Sequence, residues 1–304
     1  MDLDLMKKLC TLNEVQIHNV LLNIVKKKYK KYWESKEYIM AEGDIPVCLL
    51  AHMDTVFPAP PALDDFIYDS EKTVLWAPHG SGFDDLAGVY IIMELLLRGY
   101  KPHLIFTHGE ELGGIGAHEL ISTHPECPFE ECKALIQLDR ANEKDCVFYN
   151  CDNDIFTRFI ENRGFELAWG TFSDISIIAP AWGIAAVNLS VGYLDEHTII
   201  ERLVCKWNDA TTEKVARILD DAGWMPKYLY VPKVIQMRPK STAPAPAPAP
   251  SFSFDMDSCL ICGRALTPDV SSHLISDEEF PYCVCEECFG AYYVLDEPDA
   301  VPFD

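Results

Sequence analysis

Positive charge is what this 304-residue chain has least of: 25 lysines and arginines stand against 48 aspartates and glutamates, a formal net charge of −23. A surface of that sign repels nucleic-acid phosphates and anionic lipid, which excludes both as partners of the whole molecule. Long apolar runs are missing too. No stretch of about 18 uninterrupted apolar residues occurs, so no transmembrane helix is expected. The acids and lysines between Met1 and Lys8 are unlike the apolar segment of a secretory signal. With 49% hydrophobic and 24% charged residues, collagen-like, disordered and coiled-coil readings of the whole chain fall away. A globular chain of one or two domains remains, expected in a reducing, cytoplasmic setting.

Cysteine, by contrast, is plentiful and uneven. Of twelve, seven lie singly between Cys10 and Cys205 and five crowd into Cys259 to Cys288. Without export, close cysteine pairs mean metal more often than disulfide. Between the two groups, residues 241–251 read Ser-Thr-Ala-Pro-Ala-Pro-Ala-Pro-Ala-Pro-Ser, an alternation that favours extended polyproline II geometry and a semi-rigid spacer. The expected organisation is a main domain over 1–235, an Ala/Pro-rich linker over 236–256 and an acidic four-cysteine module over 257–304.

Helical and strand patterns alternate upstream of the spacer. From about Asn13 to Tyr32, Val15, His18, Leu22 and Val25 stand at helical spacing ahead of Lys26, Lys27, Lys28, Lys30 and Lys31, cations suited to a helix carboxyl end. Apolar runs at Val47–Ala51, His103–Thr107 and Ala134–Leu138 predict short buried strands. Helices are predicted at about 85–98, 115–123, 153–163 and 198–221. This alternation predicts an α/β three-layer sandwich with a mostly parallel central sheet, in which ligands collect beyond the carboxyl ends of the strands.

Those strand ends emit polar residues. The first gives His52-Met53-Asp54, where residues two apart point the same way, so a carboxylate can orient an imidazole whose other nitrogen binds metal. Next come Gly82-Phe83-Asp84-Asp85 before an apolar helix, then Thr107-His108-Gly109-Glu110-Glu111 after a strand. Leu135 to Asp139 is an apolar strand ending in one acid, and Asn188 to Thr198 holds a strand, a loop and His197. Each block alone has an ordinary reading as a cap or a turn. Together they supply two histidines and three carboxylates, a donor set that suits zinc, cobalt or manganese in a two-metal centre.

In this series, His52-Met53-Asp54, Asp84-Asp85, Glu110-Glu111, Asp139 and His197, the chain resembles the co-catalytic di-zinc exopeptidase superfamily, which includes tripeptidase T, leucyl aminopeptidase and the glutamate carboxypeptidases. The resemblance covers roughly residues 10–225, with all five blocks in family order. It implies that Asp84 bridges two metals, with His52 and Asp139 completing one site and Glu111 and His197 the other. It implies that Asp54 orients His52. Glu110 would be the general base, deprotonating a metal-bridging water and handing the proton to the leaving amine. Asp85 would be a supporting or capping residue. Asp139 and His197 are too close in sequence to hold the lid or dimerisation domain many relatives insert, so a minimal catalytic domain is expected. Gly170-Thr171-Phe172-Ser173-Asp174 is either a substrate-contacting loop near the site or an ordinary turn. His79 and His108 read as supporting polar residues. Arg140 and Arg163 are candidates to clamp a substrate carboxylate.

After the spacer, Cys259-Leu-Ile-Cys262 and Cys285-Glu-Glu-Cys288 read as a four-cysteine structural zinc site of the ribbon kind; Cys283 is the odd thiol. Some 48 residues build little core, so a metal staple is needed for folding. With one base, Arg264, among its acids, this module is expected to dock a protein or self-associate rather than bind nucleic acid. The expected function is a metallopeptidase, an aminopeptidase-like exopeptidase acting on small peptides. An N-acyl amino acid deacylase or carboxypeptidase, and an inactive binding protein keeping the fold, are the alternatives.

Overall fold

The computed structural model describes residues 1–233 and, in the tail, the backbone of two strands at 272–276 and 281–285. The chain divides into two compact units, Met1–Ile235 and Gln236–Asp304.

The first unit is built on an eight-stranded sheet. Its strands are β1 (Lys31–Glu34), β2 (Tyr38–Glu42), β3 (Ile45–His52), β6 (Pro102–Thr107), β7 (Leu135–Arg140), β8 (Asp145–Val147), β9 (Glu166–Leu167) and β10 (Ala186–Ser190), in the order β1-β2-β6-β3-β7-β10-β8-β9. The centre, β6-β3-β7-β10, is parallel. β2 joins β6 and β8 joins β10 antiparallel at either side, and β1 pairs antiparallel with β2. All three predicted strands are among the central four, because only strands buried on both faces read as continuous apolar runs.

Alternation along those strands makes two cores. Val47, Leu49 and Ala51 of β3 point to one face, with Met6 and Leu9 of α1 (Leu3–Cys10), Ile17, Leu21 and Val25 of α2 (Glu14–Lys28), α3 (Phe83–Leu97), Phe156 and Ile160 of α5 (Asp154–Glu161), and Val215 and Ile218 of α7 (Cys205–Asp221). Cys48 and Leu50 point to the other, against Ala117 and Leu120 of α4 (Ile115–Thr123) and Ile175, Ile178 and Trp182 of α6 (Ile175–Trp182). The architecture is the three-layer α/β sandwich expected.

Local differences have physical reasons. Asn13 caps α2, its side chain accepting from Gln16 N while the Gln16 side chain accepts from Asn13 N, a reciprocal arrangement that fixes the helix start. The buried face is Ile17, Leu21 and Val25, whereas Val15 is 69% exposed. The helix ends at Lys28, so Lys30 lies beyond it and Lys31 opens β1. The helix expected over 198–221 begins only at Cys205. Before it, β12 (Arg202–Val204) enters a second sheet, β11-β12-β5-β4, with β4 (Ile67–Asp69), β5 (Val74–Trp76) and β11 (Tyr193–Leu194). Strands of two or three residues are too short to give a readable alternation.

That small sheet organises the functional loops. The loop after β5 leads into α3, and the turn between β11 and β12 holds His197; β12 pairs with β5. Gly88 lets α3 lie against β7, since a Cβ there would meet Leu138 O at 1.8 Å. Among the described residues, no helix is long and apolar enough to cross a membrane.

In the second unit, β13 (Ser272–Ser276) and β14 (Pro281–Cys285) pair antiparallel, with Cys285 opposite Ser272 and Cys283 opposite Leu274. Of the four expected zinc ligands, Cys259, Cys262 and Cys288 lie outside the described residues, as does the linker, and of Cys285 only its place at the strand end is described.

Candidate metal centre

Three parallel strands, β3, β6 and β7, deliver polar residues to their carboxyl ends, and the β11–β12 turn beyond β10 brings His197 to the same place. His52 is the last residue of β3, Glu110 and Glu111 follow β6, Asp139 lies near the end of β7, and His197 comes after β10. Asp84 comes from above, in two non-helical residues, Asp84 and Asp85, that follow Gly82 in the left-handed region (φ 70°). A glycine there allows the turn that aims the next carboxylates back at the strand ends.

The resulting geometry is compact. Asp84 lies between the two histidines, with Oδ1 3.2 Å from His52 Nε2 and Oδ2 3.2 Å from His197 Nε2. His52 Nε2 is 3.4 Å from Asp139 Oδ1, and His197 Nε2 is 3.0 Å from Glu111 Oε2. All five residues of the expected ligand set are thus in one cluster. His197 is half exposed while the others are nearly buried, so solvent reaches the site from its side.

Supporting residues brace the cluster. His52 Nδ1 is 3.0 Å from the Asp54 carbonyl and 3.4 Å from its carboxylate. That carboxylate also accepts the backbone N–H groups of Glu110 (3.3 Å) and Glu111 (3.2 Å), so Asp54 ties the end of β3 to the glutamate loop. Asp85 accepts from His52 N at 3.2 Å and from Gly88 N at 3.0 Å. One of its oxygens, a ring nitrogen of His52 and an oxygen of Asp139 lie within 4.8 Å of one another, and each Asp85 oxygen accepts one backbone donor, the contacts of a brace and cap.

The other candidates are placed elsewhere. His79 is on an exposed turn. His108 is buried, its Nε2 3.0 Å from His18 Nδ1 and its Nδ1 2.5 Å from Glu14. Arg163 is paired with Asp221 and stacked on Phe159, and Arg140 donates to the Trp169 carbonyl at 3.1 Å. Ser173 and Asp174, expected in a substrate loop or an ordinary turn, are each 1% exposed and bond Gln137 of β7 and Thr107 of β6, contacts that suit the turn.

Several residues at the site lie inside the five blocks but are not among the candidates read from them. Gln137 Nε2 donates to Asp139 Oδ2 at 2.9 Å, Asn188 Oδ1 accepts from Asp139 N at 3.0 Å, and Tyr193 Oη is 3.4 Å from Asp139 Oδ1. Gln137 and Asn188 are single polar residues inside apolar strands. That is the one mark the sequence gives, because a buried amide requires partners. Glu201, fully buried, accepts the backbone N–H groups of Ser81, Phe83 and Asp84.

Burial, reinforced by Asp139, pushes the Glu110 carboxyl up to about 9; burial, reinforced by Asp84, takes Glu111 up to about 7. Burial likewise raises Asp139 and, to a greater degree, Asp85. The hydrogen bond to Asp84 raises His197 to about 9. Burial disfavours charge on His52, yet Asp139, Asp54 and Asp84 together hold its imidazole well above its ordinary range. Asp84 is buried as well, but its bonds to both histidines keep it below the usual carboxylate range. Five acids and two imidazoles therefore balance one another only by holding protons between them. Glu111 Oε1 is among the few buried side-chain atoms with no hydrogen-bond partner among the described residues. Hard oxygens and imidazole nitrogens converging in this way fit divalent cations, which take the place of the shared protons.

A pH dependence follows for the cation-free chain. Glu110, Glu111, Glu201 (about 7) and Asp174 (about 7), raised chiefly by burial, bind protons more tightly folded than unfolded, as does His197. Their stabilisation is present at low pH and is lost as pH rises through 7 towards 9. The melting temperature in chelator is expected to be lower at pH 9 than at pH 6 by roughly 5 °C or more, with saturating zinc removing the difference. A melting temperature that rises with pH in chelator would contradict this proton balance.

No family model matches the chain, and no curated protein matches it in sequence. Solved structures do match in fold. The aminopeptidase PepT of Bacillus cereus aligns with a TM-score of 0.58 at 15% identity, over 72% of this chain and 97% of that one. A tripeptidase of Staphylococcus aureus aligns at 0.56 and 16%, over 71% and 96%. A TET aminopeptidase from a marine-sediment thaumarchaeon aligns at 0.54 and 12%, over 71% and 95%. At these identities the likeness is one of fold, which this chain shares with solved aminopeptidases and a tripeptidase.

Proposed function

We propose that the chain is a two-metal exopeptidase that removes amino-terminal residues from small peptides. The observation that carries this reading is Asp84, whose two oxygens reach a histidine each, at the carboxyl edge of a sheet that solved aminopeptidases share. His52 and Asp139 would hold one divalent cation and Glu111 and His197 the other, with Asp84 the carboxylate placed to serve both. Zinc fits this set, with cobalt or manganese able to replace it. When bound, the cations supply Lewis-acid polarisation of the scissile carbonyl and make an attacking water acidic near neutral pH.

The chain's own groups do the rest. Asp54 fixes the imidazole of His52 through Nδ1. The Glu110 carboxylate takes a proton from the attacking water and returns it to the leaving nitrogen. Of the two arginines, Arg163 is taken up by Asp221, whereas Arg140, next to Asp139 in sequence, bonds the Trp169 carbonyl and keeps its Nε without a hydrogen-bond partner among the described residues. The preference for the amino end rests on the fold shared with solved aminopeptidases.

The test pairs metal analysis with a substrate screen. Purified full-length protein is expected to hold two cations in the first unit and one structural zinc on Cys259, Cys262, Cys285 and Cys288, a total that falls by one in Cys259→Ser. It is expected to cleave aminoacyl anilides and di- or tripeptides in preference to N-acyl amino acids. A single cation per chain, or a preference for N-acylated substrates, would overturn this assignment.

A further inference from the structure

Glu201 lies four residues after His197 and 117 after Asp84, yet it is fully buried and tied to both of their loops. Its Oε2 accepts from Ser81 N at 3.2 Å and Phe83 N at 3.1 Å, and its Oε1 accepts from Asp84 N at 3.0 Å. The Ser81 hydroxyl is 3.4 Å from the Glu201 carbonyl and accepts from Ala77 N at 2.9 Å. On its own side, Glu201 N donates to the Thr198 carbonyl at 3.1 Å, closing the turn that begins at His197. No cationic side chain among the described residues forms an ion pair with it.

A carboxylate buried without a cation is costly unless backbone donors compensate it, and three do. They belong to the stretch where the chain is not yet helical, Asp84 having φ −85° and ψ 102°. In that stretch Asp84 and Asp85 also repel each other and Asp139, so the loop requires an anchor to keep its acids at the strand ends. Glu201 provides it from the segment that holds His197.

We infer that Glu201 is a positioning residue: it fixes the separation of Asp84 from His197, and so the affinity of the cation they share with Glu111. This rests on the reading in which Asp84 holds both cations. Glutamine keeps the size of the side chain but turns one acceptor into a donor, so either Asp84 N or the Ser81 and Phe83 pair faces an NH2 group. Aspartate keeps both acceptors and the charge but withdraws them by one methylene.

The experiment uses Glu201→Gln and Glu201→Asp in the full chain, titrated with cobalt or zinc against a chelator. In chelator, both variants are expected to melt within a few degrees of wild type. The first cation binds Glu201→Gln as it binds wild type, and the second binds roughly 10- to 100-fold more weakly. At limiting metal kcat falls by a similar factor with KM changed by less than about twofold, and excess cation restores it. The visible absorption of the dicobalt form shifts, and Glu201→Asp falls between the two. A variant with wild-type affinity for both cations and wild-type kcat overturns the inference. So does a variant that is unfolded without metal, since Glu201 would then support the fold alone. If wild type itself binds fewer than two cations, the metal-centre reading fails and this inference with it; if wild type binds two and Glu201→Gln is indistinguishable, only this inference fails.

Discussion

Replacing Glu110 by glutamine is expected to lower kcat by about 10²- to 10⁴-fold while KM and the number of bound cations stay as in wild type. The side chain is largely buried, and burial together with Asp139 pushes its carboxyl up to about 9 in the cation-free chain. A group with that pKa is protonated at neutral pH and cannot accept a proton. In the proposed two-metal site, cations on Asp84 and Asp139 would offset the charges that raise it and return it to the range of a working base. Glutamine fills the same space but has no proton-accepting state. The hydrogen bond from residue 110 to Asp54 comes from the backbone N–H, so the substitution leaves the loop and the five ligands in place. Metal content, the circular dichroism spectrum and steady-state kinetics on one aminoacyl anilide check this. Activity that survives the change would remove Glu110 from the mechanism.

What could be read in advance follows a physical line. His52, Asp139 and the Glu110-Glu111 pair follow strands buried on both faces, so their apolar runs stand out and their polar ends with them. The two cores, alternating along β3, follow from the same runs. The loop holding Asp84 and the turn holding His197 are instead organised by strands of two or three residues and by Glu201, whose partners are 117 to 120 positions away. Contacts of that separation leave no periodicity. The helix expected over 198–221 failed there because Ile199 and Ile200, apolar at helical positions, lie exposed in the turn that presents His197. The same reason hides Gln137 and Asn188, whose polarity is visible but whose shared target, Asp139, is fixed only when β7 and β10 pair.

The adjacent acids Asp84 and Asp85 give the sharpest contrast, and their asparagine variants are expected to differ in kind. Asp84→Asn should lose at least one of two cations and reduce activity to below about 0.1% of wild type, as expected when a shared ligand is removed from a two-metal site. The reason is geometric: both Asp84 oxygens face a histidine Nε2 at 3.2 Å, and an amide presents an acceptor to one side and a donor to the other. It is also electrostatic, since Asp84 is held below the usual carboxylate range by both histidines and is ionised at every pH where the enzyme would work. Asp85 is the reverse case. Burial and Asp139 raise it well above the usual range, and its oxygens accept the backbone N–H groups of His52 and Gly88. Asparagine resembles its protonated form, so Asp85→Asn should keep both cations and melt close to wild type in chelator. Metal counts on the two purified variants decide between them. Two cations in Asp84→Asn with loss in Asp85→Asn would move the bridging role one residue along the chain, and with it the pairing of His52 and His197 across a single carboxylate.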